Sequence, residues 1–548
     1  MSPIPNTDMP QPGNEESTRT NGDSPTTNGA TMNCSTMPQQ QEPSNGNSTG
    51  PSIPIAIVGM ACRFSGNVRN PHQLWELCAN GKDGWSLIPD SRFDVKSLYH
   101  PDNAKAGRIC FLSYGMPAKQ ESHVIGGYFL DDDIACFDAA FFNLASDVAH
   151  KLTRLAGIPL DKLAGTNTSV YTGTFNKDYH EIETKDAECL TRSFLAGTGT
   201  AMLSNRVSHF FDLQGPSLSI DTGCSAGMVA VHQACQSIRT GESDISIVGA
   251  SSTLLSQDAF ISASTIGAIG SKGKCFAWDN RAAGYGRGEG VAAVILKPLD
   301  AALLAGDQIH AVIKDSGVNQ DGKTTTITSP SADAQVKLIE QCYRRAGLDI
   351  SQTGYVEAHM TGTAAGDPVE AEAIARTFGK SRQGDDKVSV GSVKTNVGHT
   401  EPVSGLAALI KTIFALKTAS IPPNLNYETP NPSIDHDAGH LEVPTQLKPW
   451  PEDKILRASI NNFGYGGTNA HVILESAPTP AEIYHLNGHA TPQGNQSGDD
   501  SRVFMVSAKD SAACRTMMDR LASHIIETSP STVAIVVLSW LDTACHYF

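Results

Sequence analysis

The 548-residue sequence lacks the spacings that mark metal-binding and disulfide-stapled proteins. Its 12 cysteines form no C-x-x-C pair and follow no regular pattern. Zinc sites and disulfide frameworks both need such spacings. We therefore expect free thiols in a reducing compartment, a cytoplasmic location and no metal site.

Excess positive charge and long apolar runs are also absent. The net charge of −16 argues against nucleic acid and anionic membranes as partners, because both would repel the protein. No basic segment followed by an apolar stretch marks a signal peptide. The late apolar run Val533–Leu538 is far shorter than the about 20 residues that span a bilayer.

Composition along the chain predicts one large globular block with polar ends. Residues 1–52 are rich in Asn, Ser, Thr, Pro and Gln, and we expect them to be disordered because they cannot bury enough apolar surface. The block 53–476 begins with an apolar strand at Pro54 and contains no internal linker. Residues 477–501 are predicted to be a linker, and 502–548 form a separate C-terminal segment.

Within the block, strands alternate with helical patterns, which is typical of an α/β fold. Two stretches share one plan of strand, turn and helix, and each carries a reactive side chain in its turn. The first stretch has its strand at Ser217–Ile220, its turn at Asp221–Cys224 and its helix at Ala226–Ile238. The second has its strand at Val388–Val393, its turn at Lys394–His399 and its helix at Ser404–Leu416. The shared plan predicts two related halves that meet at one site.

Gly223–Gly227, with the sequence GCSAG, offers two nucleophiles. It matches the G-x-S-x-G turn of serine hydrolases, in which Ser225 would attack. Cys224 lies just before a predicted helix, where the positive end of the helix dipole favours the thiolate. A buried structural cysteine is the ordinary alternative.

Two histidines are candidate partners for the thiol. His359 ends an apolar strand, and His399 precedes the second predicted helix; each adjoins a loop rich in Gly and Thr. Single histidines are commonly just hydrogen-bonded structural residues. A cysteine together with distant histidines is, however, the constellation for acyl transfer through a thioester.

Two glycine-rich loops complete the set of motifs. Gly284–Gly290 precedes the predicted strand Val291–Leu296, whereas a dinucleotide-binding loop follows its strand, so we expect no NAD site. Asn462–Asn469 lies between apolar strands, as expected for a tight loop that lines a pocket. Backbone N–H groups of that loop are candidates to face a developing oxyanion.

Taken together, these motifs make residues 53–476 resemble the β-ketoacyl synthase (ketosynthase) domain of fungal highly reducing type I iterative polyketide synthases. The matching motifs include PIAIVGMACRFSG, DTGCSAG, WDNRAAGYGRGEG, YVEAHMTGT, VGSVKTNVGH and NNFGYGGTNAH. The resemblance implies a thiolase-like αβαβα sandwich of two pseudo-equivalent halves, about 53–298 and 299–476. Such domains are usually homodimers.

The resemblance also assigns roles to residues. It makes Cys224 the acyl-accepting nucleophile, and His359 and His399 the donors that stabilise the enolate formed from a malonyl thioester. Lys394 would orient the histidines, and the backbone N–H groups of Cys224 and Tyr465 would form the oxyanion hole. The implied reaction is the decarboxylative Claisen condensation of polyketide or mycotoxin biosynthesis.

The same resemblance implies partners and no bound cofactor. Phosphopantetheine-linked substrates would be presented by an acyl carrier protein. Residues 502–548 resemble the start of the linker that leads to an acyltransferase domain, and the sequence given ends at Phe548. We therefore expect acyl and malonyl groups to be supplied in trans.

Four departures from the family pattern bear on this interpretation. An extra segment, a missing segment and the early stop favour a truncated and inactive synthase relic, or intron boundaries wrongly drawn in the predicted protein. The substitutions near the nucleophile and His359 are milder and do not by themselves remove the chemistry. Gly223 replaces an alanine, which predicts a looser nucleophile turn, and Met360 replaces a glycine, which predicts strain if that position has positive φ. An extra segment occupies about 109–122. A helix near 144–155 is about four turns shorter than in the family, which predicts a damaged core.

Overall fold

The computed structural model describes residues 52–92, 126–131 and 160–479 apart from Thr191, Ile266 and Ser271, together with Arg515, Met518 and Asp519. The disordered segment predicted for 1–52 falls outside these residues except for Ser52. The linker and C-terminal segment fall outside them except for residues 477–479, 515, 518 and 519. The predicted insertion at 109–122 and the shortened helix at 144–155 lie wholly outside them.

Eleven strands form the main sheet of the described chain. In chain order they are β1 (Ile55–Phe64), β2 (Thr168–Gly173), β3 (Ser217–Ile220), β4 (Ile245–Ser252), β5 (Gly290–Pro298), β6 (Ala311–Gln320), β7 (Thr353–Glu357), β8 (Val388–Gly391), β9 (Leu441–Glu442), β10 (Ile455–Phe463) and β11 (Thr468–Ser476). Two small ribbons pair Ser86–Leu87 with Gly126–Gly127 and Ser420–Ile421 with Lys448–Pro449.

The strand order shows that the chain repeats one topology. The first five strands lie in the order β1-β5-β4-β2-β3, and the later ones in the equivalent order β6-β11-β10-β7-β8, with β9 added at the edge. In both sets the first two pairings are antiparallel and the next two are parallel. A short β1–β6 pairing joins the sets. The prediction of two related halves is confirmed.

Twelve α-helices are described. They are α1 (Pro71–Ala79), α2 (Leu160–Leu163), α3 (Asp178–Thr184), α4 (Phe194–Thr198), α5 (Met202–Phe211), α6 (Ala226–Arg239), α7 (Gln257–Thr265), α8 (Leu299–Ala305), α9 (Ala332–Ala346), α10 (Gly366–Ile374), α11 (Lys394–Val397) and α12 (Ser404–Lys417). A π turn, Ala375–Gly379, extends α10, and 3₁₀ turns occupy Ala187–Cys189, Ile350–Gln352 and Glu401–Val403. Among the described residues, every helix falls short of the length and apolar character that a bilayer span requires.

Helices α6 and α12 form the middle layer of the fold. One buried cluster joins apolar residues of both helices to inward-facing residues of strands from both halves, such as Val294 of β5 and Ile460 of β10. Helix α12 buries twelve of its 14 residues, as expected for a helix covered on all sides. Each fully buried Leu or Ile contributes about 1.5–3 kcal/mol.

Two further clusters lie on the outer faces of the halves. Val170, Ile247 and Ile295 of the first half pack with Val207 and Phe211 of α5. The second half packs strand residues, among them Val356 and Val390, against α9 and α10. When the strands of each half are counted as one sheet, the layers therefore run helix, sheet, helix, sheet, helix. The predicted αβαβα sandwich is confirmed, because each sheet has two apolar faces to cover.

Candidate active site

Cys224 lies in the tight turn between β3 and α6, two residues before the helix begins at Ala226. Gly223 just before it has φ +65°, and a Cβ there would come within 3.0 Å of the Tyr465 ring. A glycine adopts this φ without strain. The prediction that Gly223 loosens the turn stays a prediction.

Ser225 is fully buried and its hydroxyl is already engaged. It donates to the carbonyl of Thr222 at 3.0 Å and lies 2.9 Å from the Thr222 hydroxyl. Both contacts are within its own turn, and none of the described histidines is hydrogen-bonded to it. The geometry gives no support to the serine-hydrolase alternative, which needs a base beside the hydroxyl.

The fold brings Cys224, His359 and His399 together from three separate loops. A ligand-type atom from each, the thiol sulfur and one nitrogen per ring, lies within 4.8 Å of the others. The two imidazole rings stand edge to face, with centroids 5.4 Å apart and an interplanar angle of 87°. A site about this size can enclose one small reacting group between a nucleophile and two donors.

His359 follows strand β7 and is held on two sides. Glu370 of α10 accepts the backbone N–H groups of His359 and Met360, both at 2.7 Å. The ring Nδ1 lies 3.1 Å from the amide nitrogen of Asn462. Met360 is absent from the positive-φ residues and is buried. The conditional expectation of strain at Met360 therefore does not apply.

The backbone of His399 is hydrogen-bonded to the glycine-rich loop 284–290. Its backbone N–H donates to the Gly286 carbonyl at 2.8 Å, and its carbonyl accepts from Gly288 at 2.9 Å. The Tyr285 ring packs edge-on against the imidazole at 4.9 Å. This loop leads into β5, as predicted, and its contacts position His399.

Both histidines accept a hydrogen bond at Nδ1. The donor to His399 is the backbone N–H of Glu401, at 3.3 Å. Burial and the nearby Lys394 hold the pKa of both rings well below 6.5, so the rings are neutral. A neutral ring that accepts at Nδ1 carries its proton on Nε2. Metal-bound histidines instead donate from the second nitrogen, so this arrangement favours hydrogen-bond donation to a substrate.

Burial, and to a smaller extent the Glu401 carboxylate, raises the pKa of the Cys224 thiol to about 12. Lys394 and hydrogen bonds from the backbone N–H groups of Tyr465 and Cys224 act in the opposite direction. Desolvation exceeds the favourable effects of Lys394 and the two backbone N–H groups on the thiol. The effect of the helix dipole on Cys224 stays a prediction. The two predicted oxyanion-hole donors do face the sulfur.

Lys394 is the buried cation of the site. Its ammonium group has no hydrogen-bond partner among the described residues. Burial lowers its pKa, while Glu357 and Glu370 act to raise it. The group influences both imidazoles and the thiol through its charge. The structure thus places Lys394 beside the predicted trio, where it acts electrostatically.

Sequence analysis missed a buried ion pair behind His399. Arg287 Nε lies 2.7 Å from Glu401 Oε1, with both side chains almost fully buried. Asn176 also donates to the Glu401 carboxylate. Glu401 has φ +51°, an uncommon conformation for a residue with a side chain. The only sequence signal was its position two residues after His399.

A second buried ion pair supports the Lys394 turn. Glu357, the last residue of β7, lies 2.7 Å from Lys411 Nζ of α12, and both side chains are inaccessible. The Glu357 carboxylate also accepts from Tyr355 and from the backbone N–H of Val393, each at 2.6 Å. Val393 immediately precedes Lys394, so this cluster fixes the turn that carries the site's cation.

A cavity of about 140 Å³ lies at the end of β2. Residues from α3, α4, α5 and the end of β4 line it. One lining residue is Asn176, which also bonds to Glu401. The cavity is therefore linked through Glu401 to the His399 imidazole.

Comparison with protein families assigns most of the chain. Residues 52–302 match the family described as "Beta-ketoacyl synthase, N-terminal domain". Residues 310–428 match "Beta-ketoacyl synthase, C-terminal domain", and 430–540 match "Ketoacyl-synthetase C-terminal extension".

Curated relatives are fungal. The chain is 51% identical to the highly reducing polyketide synthase pks5 of Leptosphaeria maculans over 86% of this chain and 19% of that protein. It is 48% identical to the highly reducing polyketide synthase poxF of Penicillium oxalicum, again over 19% of that protein. The chain thus spans about a fifth of the length of the curated relatives it matches.

Solved structures show the same fold. A ketosynthase from module 6 of the Bacillus subtilis bacillaene synthase is 30% identical, with a TM-score of 0.71, and the match covers 87% of this chain and 78% of that one. The Streptomyces albus oxazolomycin ketosynthase domain OzmH KS7 is also 30% identical, with a TM-score of 0.74 over 87% and 82%. Fold and site together define a ketosynthase-type domain with the thiolase-like fold. The chain belongs to the β-ketoacyl synthase family, and the curated relatives named above are fungal highly reducing polyketide synthases.

Proposed function

We propose that this ketosynthase catalyses the decarboxylative Claisen condensation with Cys224 as nucleophile and His359 and His399 as hydrogen-bond donors. The observation that carries the proposal is the convergence of the thiol sulfur and two ring nitrogens within 4.8 Å. Both rings are neutral and present Nε2–H, which suits stabilisation of an enolate oxygen and not proton abstraction.

The first half-reaction loads the enzyme. The Cys224 sulfur attacks the carbonyl of an acyl thioester, and the acyl group leaves its carrier sulfur for the cysteine. The thiol proton passes to the departing carrier thiolate, so the exchange is balanced. The backbone N–H groups of Cys224 and Tyr465 point towards the Cys224 sulfur. From there they can also donate hydrogen bonds to the oxyanion of the tetrahedral intermediate.

The second half-reaction forms the carbon–carbon bond. The malonyl thioester oxygen accepts hydrogen bonds from Nε2–H of His359 and His399, and CO₂ leaves with cleavage of the C–C bond to give an enolate. The enolate carbon attacks the acyl carbonyl on Cys224. Collapse of the tetrahedral intermediate releases the cysteine thiolate and a β-ketoacyl chain that is two carbons longer.

Lys394 supplies the positive potential that this chemistry needs. Enolate, oxyanion and thiolate are all anionic, and the ammonium group is buried beside all three groups that handle them. A buried charge acts more strongly than an exposed one because the local dielectric is low. With both imidazoles neutral, Lys394 is the nearby source of full positive charge.

The acyl chain extends, in this proposal, into the cavity beside Asn176. A cavity of about 150 Å³ is enough to hold a benzene ring, so the about 140 Å³ here suits a short acyl segment. Substrates arrive on the phosphopantetheine arm of a carrier protein loaded by an acyltransferase. The products belong to fungal polyketide metabolism, as the names of the relatives support, and we propose a cytoplasmic location for the reaction.

We further propose that two copies pair through the edge strand β3. This strand ends the main sheet, and its outer edge has no strand partner among the described residues. Leu218 of β3 is 52% exposed, and Phe210 of α5 is 62% exposed. An exposed edge flanked by apolar side chains is a template for pairing, and self-pairing gives a closed two-fold dimer.

The test measures CO₂ release from malonyl-carrier protein and acyl transfer to the enzyme by intact mass. Wild-type protein should do both. Cys224→Ala should lose acylation but still release CO₂, because the histidines remain. His359→Ala should lose CO₂ release, and Ser225→Ala should keep acylation. A purified, folded wild-type protein that neither acylates nor decarboxylates would support the inactive-relic alternative.

A further inference from the structure

Asn462, near the end of β10, connects the nucleophile turn to one histidine. Its amide nitrogen lies 3.1 Å from His359 Nδ1 and 3.0 Å from the Ser404 hydroxyl. Ser404, the first residue of α12, in turn donates to the Cys224 carbonyl at 3.3 Å. The side chain of Asn462 is fully buried, so water does not compete for these contacts.

The contacts decide which end of the amide faces His359. Ser404 has one hydroxyl proton, and that proton is committed to the Cys224 carbonyl. Ser404 must therefore accept from Asn462, which places the amide NH₂ on that side. The same NH₂ faces His359 Nδ1. The amide oxygen points to Gly405, where a Cβ would come within 2.7 Å of it.

We propose that Asn462 is a positioning residue that fixes the tautomer of His359. By donating to Nδ1 it obliges the neutral ring to carry its proton on Nε2, facing Cys224 and the malonyl oxygen. This inference rests on the proposed function for its catalytic consequence, but the tautomer itself is a property of the resting protein.

Fixing the tautomer also makes His359 a poor metal ligand. A soft cation held by Cys224 and the two imidazoles would need lone pairs at Nε2. The donors at both Nδ1 atoms, Asn462 and the Glu401 backbone, oppose that state. Asn462 thus keeps a cysteine–histidine cluster free for hydrogen-bond donation.

The matched variants are Asn462→Asp and Asn462→Ala. Aspartate keeps the shape of asparagine but only accepts hydrogen bonds, so it draws the ring proton to Nδ1. Alanine removes the donor without reversing it. If Asn462 only fills space, the isostere should be the milder change. If it sets the tautomer, Asn462→Asp should be the more damaging one.

The direct readout is NMR of protein labelled with ¹⁵N-histidine at pH 8. The His359 signals are identified as those missing from His359→Gln. Wild type should show protonated Nε2 and bare Nδ1, and Asn462→Asp should show the reverse. Decarboxylation should fall about 100-fold or more in Asn462→Asp and about 10-fold in Asn462→Ala, in the range for losing one preorganised donor. Alkylation of Cys224 by iodoacetamide should stay within a few-fold.

The outcomes separate the two proposals. A wild-type His359 protonated at Nδ1, or an Asn462→Asp protein that keeps Nε2–H and decarboxylates as fast as Asn462→Ala, overturns the tautomer assignment. If wild type shows the expected tautomer but releases no CO₂, the proposed function fails while the assignment stands. Should the Asn462 variants not fold, Ser404→Ala tests the same amide orientation and should mix the two tautomers.

Discussion

Arg287 and Glu401 meet behind His399 as a buried, two-point ion pair, with Nε 2.7 Å from Oε1 and the second guanidinium nitrogen 3.0 Å from Oε2. The Glu401 backbone N–H donates to His399 Nδ1. The guanidinium also packs over the Phe260 ring, 4.8 Å from its centroid. Orientation of the His399 imidazole is therefore linked to the buried ion pair behind it.

Removing one member of this ion pair should destabilise the folded protein. Arg287→Met leaves the Glu401 carboxylate buried without its partner, and we expect unfolding free energy to fall by about 3–5 kcal/mol. Chemical denaturation provides the measurement. The double variant Arg287→Met/Glu401→Gln, with no buried charge, should recover part of the loss. A double variant as unstable as the sum of the two single variants would show that the groups are not coupled.

The buried thiols predict how stability depends on pH. Burial raises the pKa of Cys224, Cys78 and Cys342 to about 12, whereas an unfolded thiol titrates near 8.5. Above about pH 9 the unfolded chain loses protons that the folded chain keeps. Stability contributed by each thiol is present below that pH and should fall by up to about 1.4 kcal/mol per pH unit above it.

The measurement is denaturation at several pH values between 7.5 and 10.5, a range set by these thiols. Cys342→Ala is the matched variant, because Cys342 lies on α9 away from the site and its substitution removes one contributing thiol. Its curve should be shallower above pH 9 than that of wild type. Parallel curves would argue against burial as the origin of the raised pKa.

Gly223→Ala should destabilise the nucleophile turn by two separable effects. The first is a left-handed φ, worth about 1–2 kcal/mol. The second is the close approach of a Cβ to the Tyr465 ring, at 3.0 Å. Gly241→Ala isolates the first effect, since Gly241 has φ +76° and nothing within 4 Å of its Cβ position. Thermal unfolding compares the two.

We expect Gly223→Ala to be the less stable variant and to react more slowly with iodoacetamide at Cys224. Equal stability of the two variants would indicate that the Tyr465 ring moves aside freely. A normal alkylation rate would show that the turn keeps its shape despite the added methyl group.

Leu218→Lys should weaken the proposed dimer. A lysine on the edge strand opposes strand pairing by charge and by hydration. Sedimentation velocity should show a shift of the wild-type dimer towards monomer. Leu304→Lys is the control, because Leu304 is 84% exposed on α8. Helix α8 packs on β1 and β5, which other strands separate from β3 in the sheet. A wild-type monomer, or an equal effect of both variants, would contradict pairing through β3.

Local patterns predicted the fold well. The strands and helices around Cys224 and His399 were located to within a few residues, because apolar periodicity and glycine turns are local properties. The duplicated strand–turn–helix plan corresponds to the duplicated sheet order. Helix α12 is buried on nearly all sides, and this burial follows from its place between two sheets, which is a feature of the tertiary structure.

The candidate site, too, has some features that were predictable from local sequence and others that depend on the tertiary structure. By itself, the sequence indicated the residues of the proposed site, because Cys224, His359, His399 and Lys394 each lie in a contiguous motif. Only the tertiary structure decided how they act. Burial set the pKa values, and partners distant in sequence, such as Asn462 for His359, set the tautomers. Hydrogen bonds and desolvation act through space, and the order of residues along the chain does not encode that space directly.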